Sequence, residues 1–219
     1  MELDPSMGIS RRQADRGIYT WAGWASVASS VLGLVACGFL VTALRLRTTA
    51  DPHTTELLFG AHDIGAIFQY LCLIPVAVTL RQLSHSGTEG LGRPFLTVGV
   101  TALVSTAFLL LVEFIHFDWL PWYMVPQGIF GGWLMVVSWR MAKTLPWSLT
   151  GLGLIVGLGL VLVATFPLGY TLWVDPSVPE SVANEILHQV VKVGSYLGVF
   201  PLPFWTVLLG AGLLRAKDH

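Results

Sequence analysis

Six stretches of roughly 20 predominantly apolar residues, separated by short polar or proline-containing joints, constrain this chain more than any motif does. An α-helix rises 1.5 Å per residue, so each stretch is long enough to cross a hydrocarbon layer of about 30 Å. The stretches run from about Trp24 to Leu44, Leu57 to Leu80, Phe95 to Ile115, Tyr123 to Ala142, Ser148 to Tyr170 and Asn184 to Leu214. They are continuous and do not alternate between apolar and polar residues, which predicts helices and not the strands of a membrane barrel. The last stretch must tilt or bend to fit, and Pro201-Leu-Pro203 supplies a cause for a bend. Composition points the same way. The chain is 54% hydrophobic and 11% charged, where a soluble domain carries about 25% charged residues. The expected fold is all-α: a polytopic transmembrane helix bundle of about six spans over residues 24–214, with an N-terminal segment 1–23 and a tail 215–219.

Orientation follows from the basic residues. With six spans, both termini share one side, and Arg11, Arg12, Arg16, Arg81, Arg93, Arg140, Lys143, Arg215 and Lys217 fall there, against Arg45 and Arg47 opposite. Both termini are therefore expected in the cytoplasm, and the protein in the cell inner membrane. Trp21, Trp24, Trp139 and Trp147 would line the inner interface, and Trp119, Trp122, Tyr123, Tyr170 and Trp173 the outer one. The first stretch is not read as a cleaved signal, although Leu34-Val-Ala-Cys37 resembles a lipoprotein cleavage box, because Gly38 to Leu44 continues the apolar run beyond the usual h-region. A net charge of −1 without a basic face excludes nucleic acid as a partner. Cys37 and Cys72 both fall inside apolar runs and are expected to be buried small residues, not a disulfide.

With this topology the ionisable residues within the spans gather at the outer third of the membrane. His62 and Asp63 lie about 7 to 9 Å into the second span, Glu113 and His116 end the third, and Glu185, His188 and Lys192 begin the sixth. The spacing of Glu185, His188 and Lys192 puts them on one helix face and likewise pairs Glu113 with His116. Glu113-Phe-Ile-His116 and Glu185-Ile-Leu-His188 repeat the Glu-x-x-His spacing with which di-iron and di-manganese bundles hold metal, although no fourth carboxylate-bearing helix completes that pattern. The candidate metal ligands are accordingly His62, Asp63, Glu113, His116, Glu185 and His188, for zinc or non-haem iron, with haem as a further option. Glu113 and Asp63 are the candidate general bases on a metal-bound water, and Lys192 a charge partner for a bound group. The alternative is plain: ionisable residues are least costly near the interface, where their side chains reach water, and Lys192 and Asp63 or Glu113 can pair inside the bundle.

Three function classes are open on these residues. They are a metal-dependent membrane enzyme acting on an amphipathic substrate, a proton-coupled binder or transporter of small molecules, and a non-catalytic subunit of a membrane complex, each in contact with the lipid bilayer. Gly128-x-x-x-Gly132 and Gly153-x-x-x-Gly157 are read as close helix contacts. Pro75, Pro126 and Pro167 are candidate kinks, and residues 83–93 a flexible connection. The closing Phe200-Pro-Leu-Pro-Phe-Trp205 with Leu-Leu-Gly210 and six short spans resembles bacterial families of uncharacterised small multipass membrane proteins. That resemblance implies a fold and no chemistry.

Overall fold

The structure, a computed structural model, describes residues 5–49, 51–84, 92–116, 121–143, 145–174 and 182–216. Residues 5–16, 83, 84, 116 and 216 among them are described by backbone alone. Every regular element is helical: α1 (Pro5–Leu46), α2 (Pro52–Ser84), α3 (Arg93–His116), α4 (Met124–Arg140), α5 (Trp147–Trp173), α6 (Val182–Gly194) and α7 (Leu202–Ala216). A 3-10 turn, Met141–Lys143, extends α4, and a π turn, Ser195–Val199, joins α6 to α7. Helix α1 begins well before Trp24, and the backbone of the N-terminal segment is helical from Pro5. The connection at 85–91 and residues 117–120, including Trp119, lie outside the described residues.

Five columns are long and apolar enough to cross a membrane: Gly17–Leu46, Pro52–Gln82, Arg93–Ile115, Trp147–Trp173 and the broken column Val182–Arg215. The sixth, α4, has 17 residues before its 3-10 extension. Burial is distributed as lipid requires. Large apolar side chains such as Phe108, Ile115 and Leu172 are more than 60% exposed, while Ser26, Ser29, Thr106, Ser138, Thr150 and Thr206 are buried. With lipid outside, apolar exposure carries no penalty and inward hydroxyls need partners. Ser26 Oγ donates to the Thr206 carbonyl (2.6 Å) and Thr106 Oγ1 to the Ala102 carbonyl (2.9 Å). The chain is a multipass membrane protein.

Neighbouring columns run antiparallel and close into a ring, α1–α2–α3–α4–α5–α6/α7–α1. On α1 and α2, Gly65 packs on Ala36 and Ser29 Oγ donates to the Gln69 carbonyl (3.1 Å). Trp133 of α4 lies against Gly99 of α3 and donates its Nε1–H to the Phe95 carbonyl (2.9 Å), stacked between Phe95 and Phe130. Between α4 and α5, Gly128 faces Ala164 and Gly131 faces Gly157. The helix contact therefore uses Gly128 and Gly131. Gly132, paired with Gly128 by sequence spacing, has nothing within 4 Å of where a Cβ would stand. Gly153 behaves as expected and lies against Ser138.

Helices α1 and α7 close the ring at one end through Gly23 with Gly210, and Gly33 with Pro203. The same half is filled by a continuous core that includes Leu73, Leu80, Leu103, Phe130, Leu134, Leu160, Trp205 and Leu209. Arg81, Arg93, Arg140, Lys143 and Arg215 stand at this end. Pro75 and Pro167 sit inside helices, whereas Pro126 occupies the first turn of α4, where no intrahelical N–H is needed, so it is not a kink of the expected kind.

The break in the last column is sharper than a tilt. Pro201 and Pro203 cannot donate to the carbonyls of Leu197 and Val199. The ladder widens instead into the π turn, in which the Phe200 N–H reaches the Ser195 carbonyl at 3.1 Å. Glycine then pins the turn to α5: a Cβ on Gly194 would stand 2.9 Å from the Gly159 carbonyl oxygen, and one on Gly198 2.5 Å from the Leu160 nitrogen.

Candidate functional site: a polar chamber at the open end of the ring

The half of the ring away from the packed core is hollow. A cavity of about 1090 Å³ reaches from Arg47, His53 and Glu56 at its mouth down to Gln69, Tyr70 and Gln127. Along α2 the step from Asp63 to Tyr70 is about 10 Å, so the polar groups form two levels.

The upper level holds His62, Asp63, Glu113 and Tyr123. Asp63 and His62 are half-buried neighbours on α2. His62 Nδ1 lies 3.0 Å from the Ala36 carbonyl oxygen. A carbonyl only accepts, so Nδ1 carries the proton, and Nε2 of the neutral ring is left as an acceptor. Glu113 reaches the cavity from the last turn of α3, held beside α2 by the contact of Phe114 with Gly60, 3.1 Å from where its Cβ would be. Tyr123, expected to anchor the outer interface, instead turns inward at the start of α4. Its phenol lies within electrostatic reach of Glu113, Asp63 and Tyr70.

The floor is made by Gln69, Tyr70 and Gln127, all at most 6% exposed. Gln127 Nε2 donates to the Tyr70 hydroxyl at 2.7 Å, and Gln127 Oε1 has no partner among the described residues. Ser195 of the π turn, Val191 of α6 and Cys37 of α1 complete the wall. Sequence reasoning missed all three floor residues. A signal existed, since a glutamine within an apolar span is rarely there without a partner, but neutral side chains drew less attention than charged ones. Apolar side chains, among them Leu40, Leu44, Leu57 and Phe114, form the rest of the lining.

The other candidates lie elsewhere. Glu185, His188 and Lys192 do share a face of α6, but that face is exposed and none of the three lines the cavity. Glu185 accepts from Gln189 Nε2 (2.7 Å), and His188 Nδ1 donates to the Asn184 carbonyl (2.9 Å) with its ring edge on Phe166. Lys192 is thus not a charge partner inside the bundle. The physical reason is length: Val182–Arg215 has 34 residues, about 50 Å of helix against about 30 Å of hydrocarbon. A slab drawn upward from Leu213 ends near Gly194, so the polar stripe of α6 stands at headgroup level, where facing outward costs little. His116 ends α3, and its side chain lies outside the described residues.

A zinc or non-haem iron centre needs three or more nitrogen and oxygen donors converging at about 2.0 to 2.2 Å. Among the described residues no group of three or more His, Cys, Asp or Glu side chains is placed to hold a metal ion. Among the described residues the set does not converge, because α6 turns Glu185 and His188 outward while His62, Asp63 and Glu113 face the cavity. Cys37 and Cys72 are free thiols.

No family model, no curated protein and no solved structure matches the chain.

Proposed function

We propose that the chain is a six-span inner-membrane protein, both termini cytoplasmic, whose chamber opens outward and binds the cationic head of an amphipathic molecule without a metal. The orientation rests on the basic residues at the packed end, with Arg45, Arg47 and Lys192 at the other. α4 counts as a span because its 17 helical residues continue into the 3-10 turn and it packs along α5.

The charge of the lining carries the ligand class. Among the described residues three carboxylates, Glu56, Asp63 and Glu113, face the cavity against one guanidinium, Arg47 at the rim. An ammonium group is placed between Asp63 and Glu113, two acids of the same lining, where the Nε2 of His62 and the Tyr123 phenol offer further contacts of the right polarity. The apolar wall takes the tail. A cavity of about 1090 Å³ is slightly larger than the range of about 300 to 1,000 Å³ found for small-molecule sites.

The test is binding to purified protein in lipid nanodiscs, comparing a long-chain alkylamine with the fatty acid of equal chain length. The amine is expected to bind and the acid not. Glu113→Gln or Asp63→Asn should each weaken amine binding roughly 10- to 100-fold, the worth of one charge-assisted hydrogen bond of about 1.5 to 3 kcal/mol. Equal binding of the acid, or full amine affinity in the Asp63→Asn/Glu113→Gln double variant, rejects the reading.

A further inference from the structure

Two helices carry polar groups down into the chamber in matching steps. On α2, Tyr70 follows Asp63 after two turns, and on α4, Gln127 follows Tyr123 after one. Each helix thus presents one polar side chain at the upper level and one at the floor, and all four line the cavity. The rise between the levels is about 10 Å along α2 and about 6 Å along α4. The wall at intermediate height is apolar, with Ala66 of α2, Leu110 of α3 and Met124 of α4.

The floor is polar, buried and only partly paired. Tyr70 is 4% exposed and Gln127 3%. The Tyr70 hydroxyl accepts from Gln127 Nε2 at 2.7 Å, and no described residue accepts the proton that the hydroxyl itself carries. Gln127 Oε1 accepts from no described residue. Buried polar groups are nearly always hydrogen-bonded, and one left open is costly. Here one donor and one acceptor stand open side by side. Turning the Gln127 amide through half a rotation exchanges the two roles and leaves the same requirement.

That requirement selects a chemical group. A hydroxyl both donates and accepts, and so meets the pair. A methyl end meets neither member, and an ether oxygen accepts without donating. A second ammonium donates only, and among the described residues every carboxylate of the lining lies at the level of Asp63 and Glu113 or above, so it would be buried without a counter-charge.

We infer that the chamber holds its ligand at both ends, an ammonium between Asp63 and Glu113 and a hydroxyl on the Tyr70 and Gln127 pair, which narrows the ligand class to an amino alcohol. This rests on the binding role proposed above. The two ends of the ligand stand about 6 to 10 Å apart. An extended chain advances about 1.2 Å per bond, so about five to eight bonds separate nitrogen from oxygen, roughly the length of 6-amino-1-hexanol. The methylenes between them lie along Ala66, Leu110 and Met124.

The test measures displacement of a bound long-chain alkylamine from the protein in lipid nanodiscs. In the natural chain 6-amino-1-hexanol is expected to compete about tenfold better than hexylamine, the worth of one to two net hydrogen bonds. Its methyl ether, which cannot donate to Gln127, should compete no better than hexylamine. In Tyr70→Phe/Gln127→Leu the ratio of 6-amino-1-hexanol to hexylamine, both measured on that variant, should fall to about one or below. A further series needs no substitution: the ratio of amino alcohol to plain amine should peak at the six-carbon spacer and return to about one for 2-aminoethanol against ethylamine and for 12-amino-1-dodecanol against dodecylamine. A ratio independent of spacer length, or one that persists in the double variant, overturns the inference and means that water fills the floor, while the amine site stands. If the long-chain alkylamine itself does not bind, the binding role falls and this inference with it.

Discussion

Replacing Gly159 by alanine tests the contact on which both the fold of the last column and the shape of the chamber depend. A Cβ there would stand 2.5 Å from the Leu197 carbonyl carbon and 2.6 Å from Gly198 Cα, with the Gly198 nitrogen nearer still. All three are backbone atoms, so no side chain can rotate away. Ordinary contact begins at 3.4 Å, and the π turn must therefore back off by roughly 1 Å, loosening the packing between α5 and α6. Overpacking of this kind costs about 1 to 3 kcal/mol. Alanine returns about 1 kcal/mol of helix propensity, leaving a net loss of about 0 to 2 kcal/mol, still about 1 to 3 kcal/mol worse than a glycine-to-alanine change made in open space. Gly132→Ala is the control, because nothing lies within 4 Å of its Cβ position. It should be neutral or stabilising by up to about 1 kcal/mol. Reversible unfolding in mixed micelles, followed by circular dichroism against SDS fraction, gives both values. If the two variants agree within about 0.5 kcal/mol, the close approach of α5 to the π turn is wrong.

Tyr70→Phe removes the acceptor of the Gln127 amide and leaves that amide buried, so stability should fall by about 1 to 3 kcal/mol; adding Gln127→Leu should restore part of it in the same unfolding assay. Asp51 caps α2, accepting from the Thr54 N–H (2.9 Å) and the Thr54 hydroxyl (2.6 Å), and these bonds hold its carboxyl below the usual carboxylate range. Because the folded-state value is the lower one, the stabilisation is present above the unfolded value of about 3.9 and is lost as pH falls through the folded one. Amide exchange at Thr54 and Thr55 should therefore speed up on acidification in the natural chain, relative to exchange in Asp51→Ala, which lacks that response. Exhaustive chelation should leave the thermal midpoint and amine binding unchanged; a drop restored by zinc or iron would bring the metal reading back. Pro201→Ala/Pro203→Ala returns donors to the Leu197 and Val199 carbonyls, and spin labels at Arg47→Cys and Lys192→Cys should then report a changed distance as the π turn gives way to a continuous helix.

The spans were legible because they depend on length and composition alone. The expected boundaries of the third and fifth stretches agree with α3 and α5 to within a few residues, and Pro201 and Pro203 announced the break in the sixth. Part of the site was legible too: His62, Asp63 and Glu113 line one cavity as their common depth suggested. Glu185, His188 and Lys192 were misjudged, since a polar stripe on a helix faces water or protein with equal ease once it stands at headgroup level. Tyr123 lines the cavity although tyrosines at helix ends usually anchor the interface, and Gln69, Tyr70 and Gln127, uncharged residues in apolar runs, carry little sequence signal of a site.

What the sequence determined by itself is that the chain forms long apolar helices, and the approximate extent of each and the height of a polar residue along its own helix, because a helix converts residue number into height at a fixed rise. Which residues share that height across a common space was decided only by the tertiary structure. A column that is apolar nearly all round carries little record of which face turns inward, and that rotation is set by backbone contacts such as Gly131 on Gly157 and Gly159 on Gly198, made with partners distant in the chain.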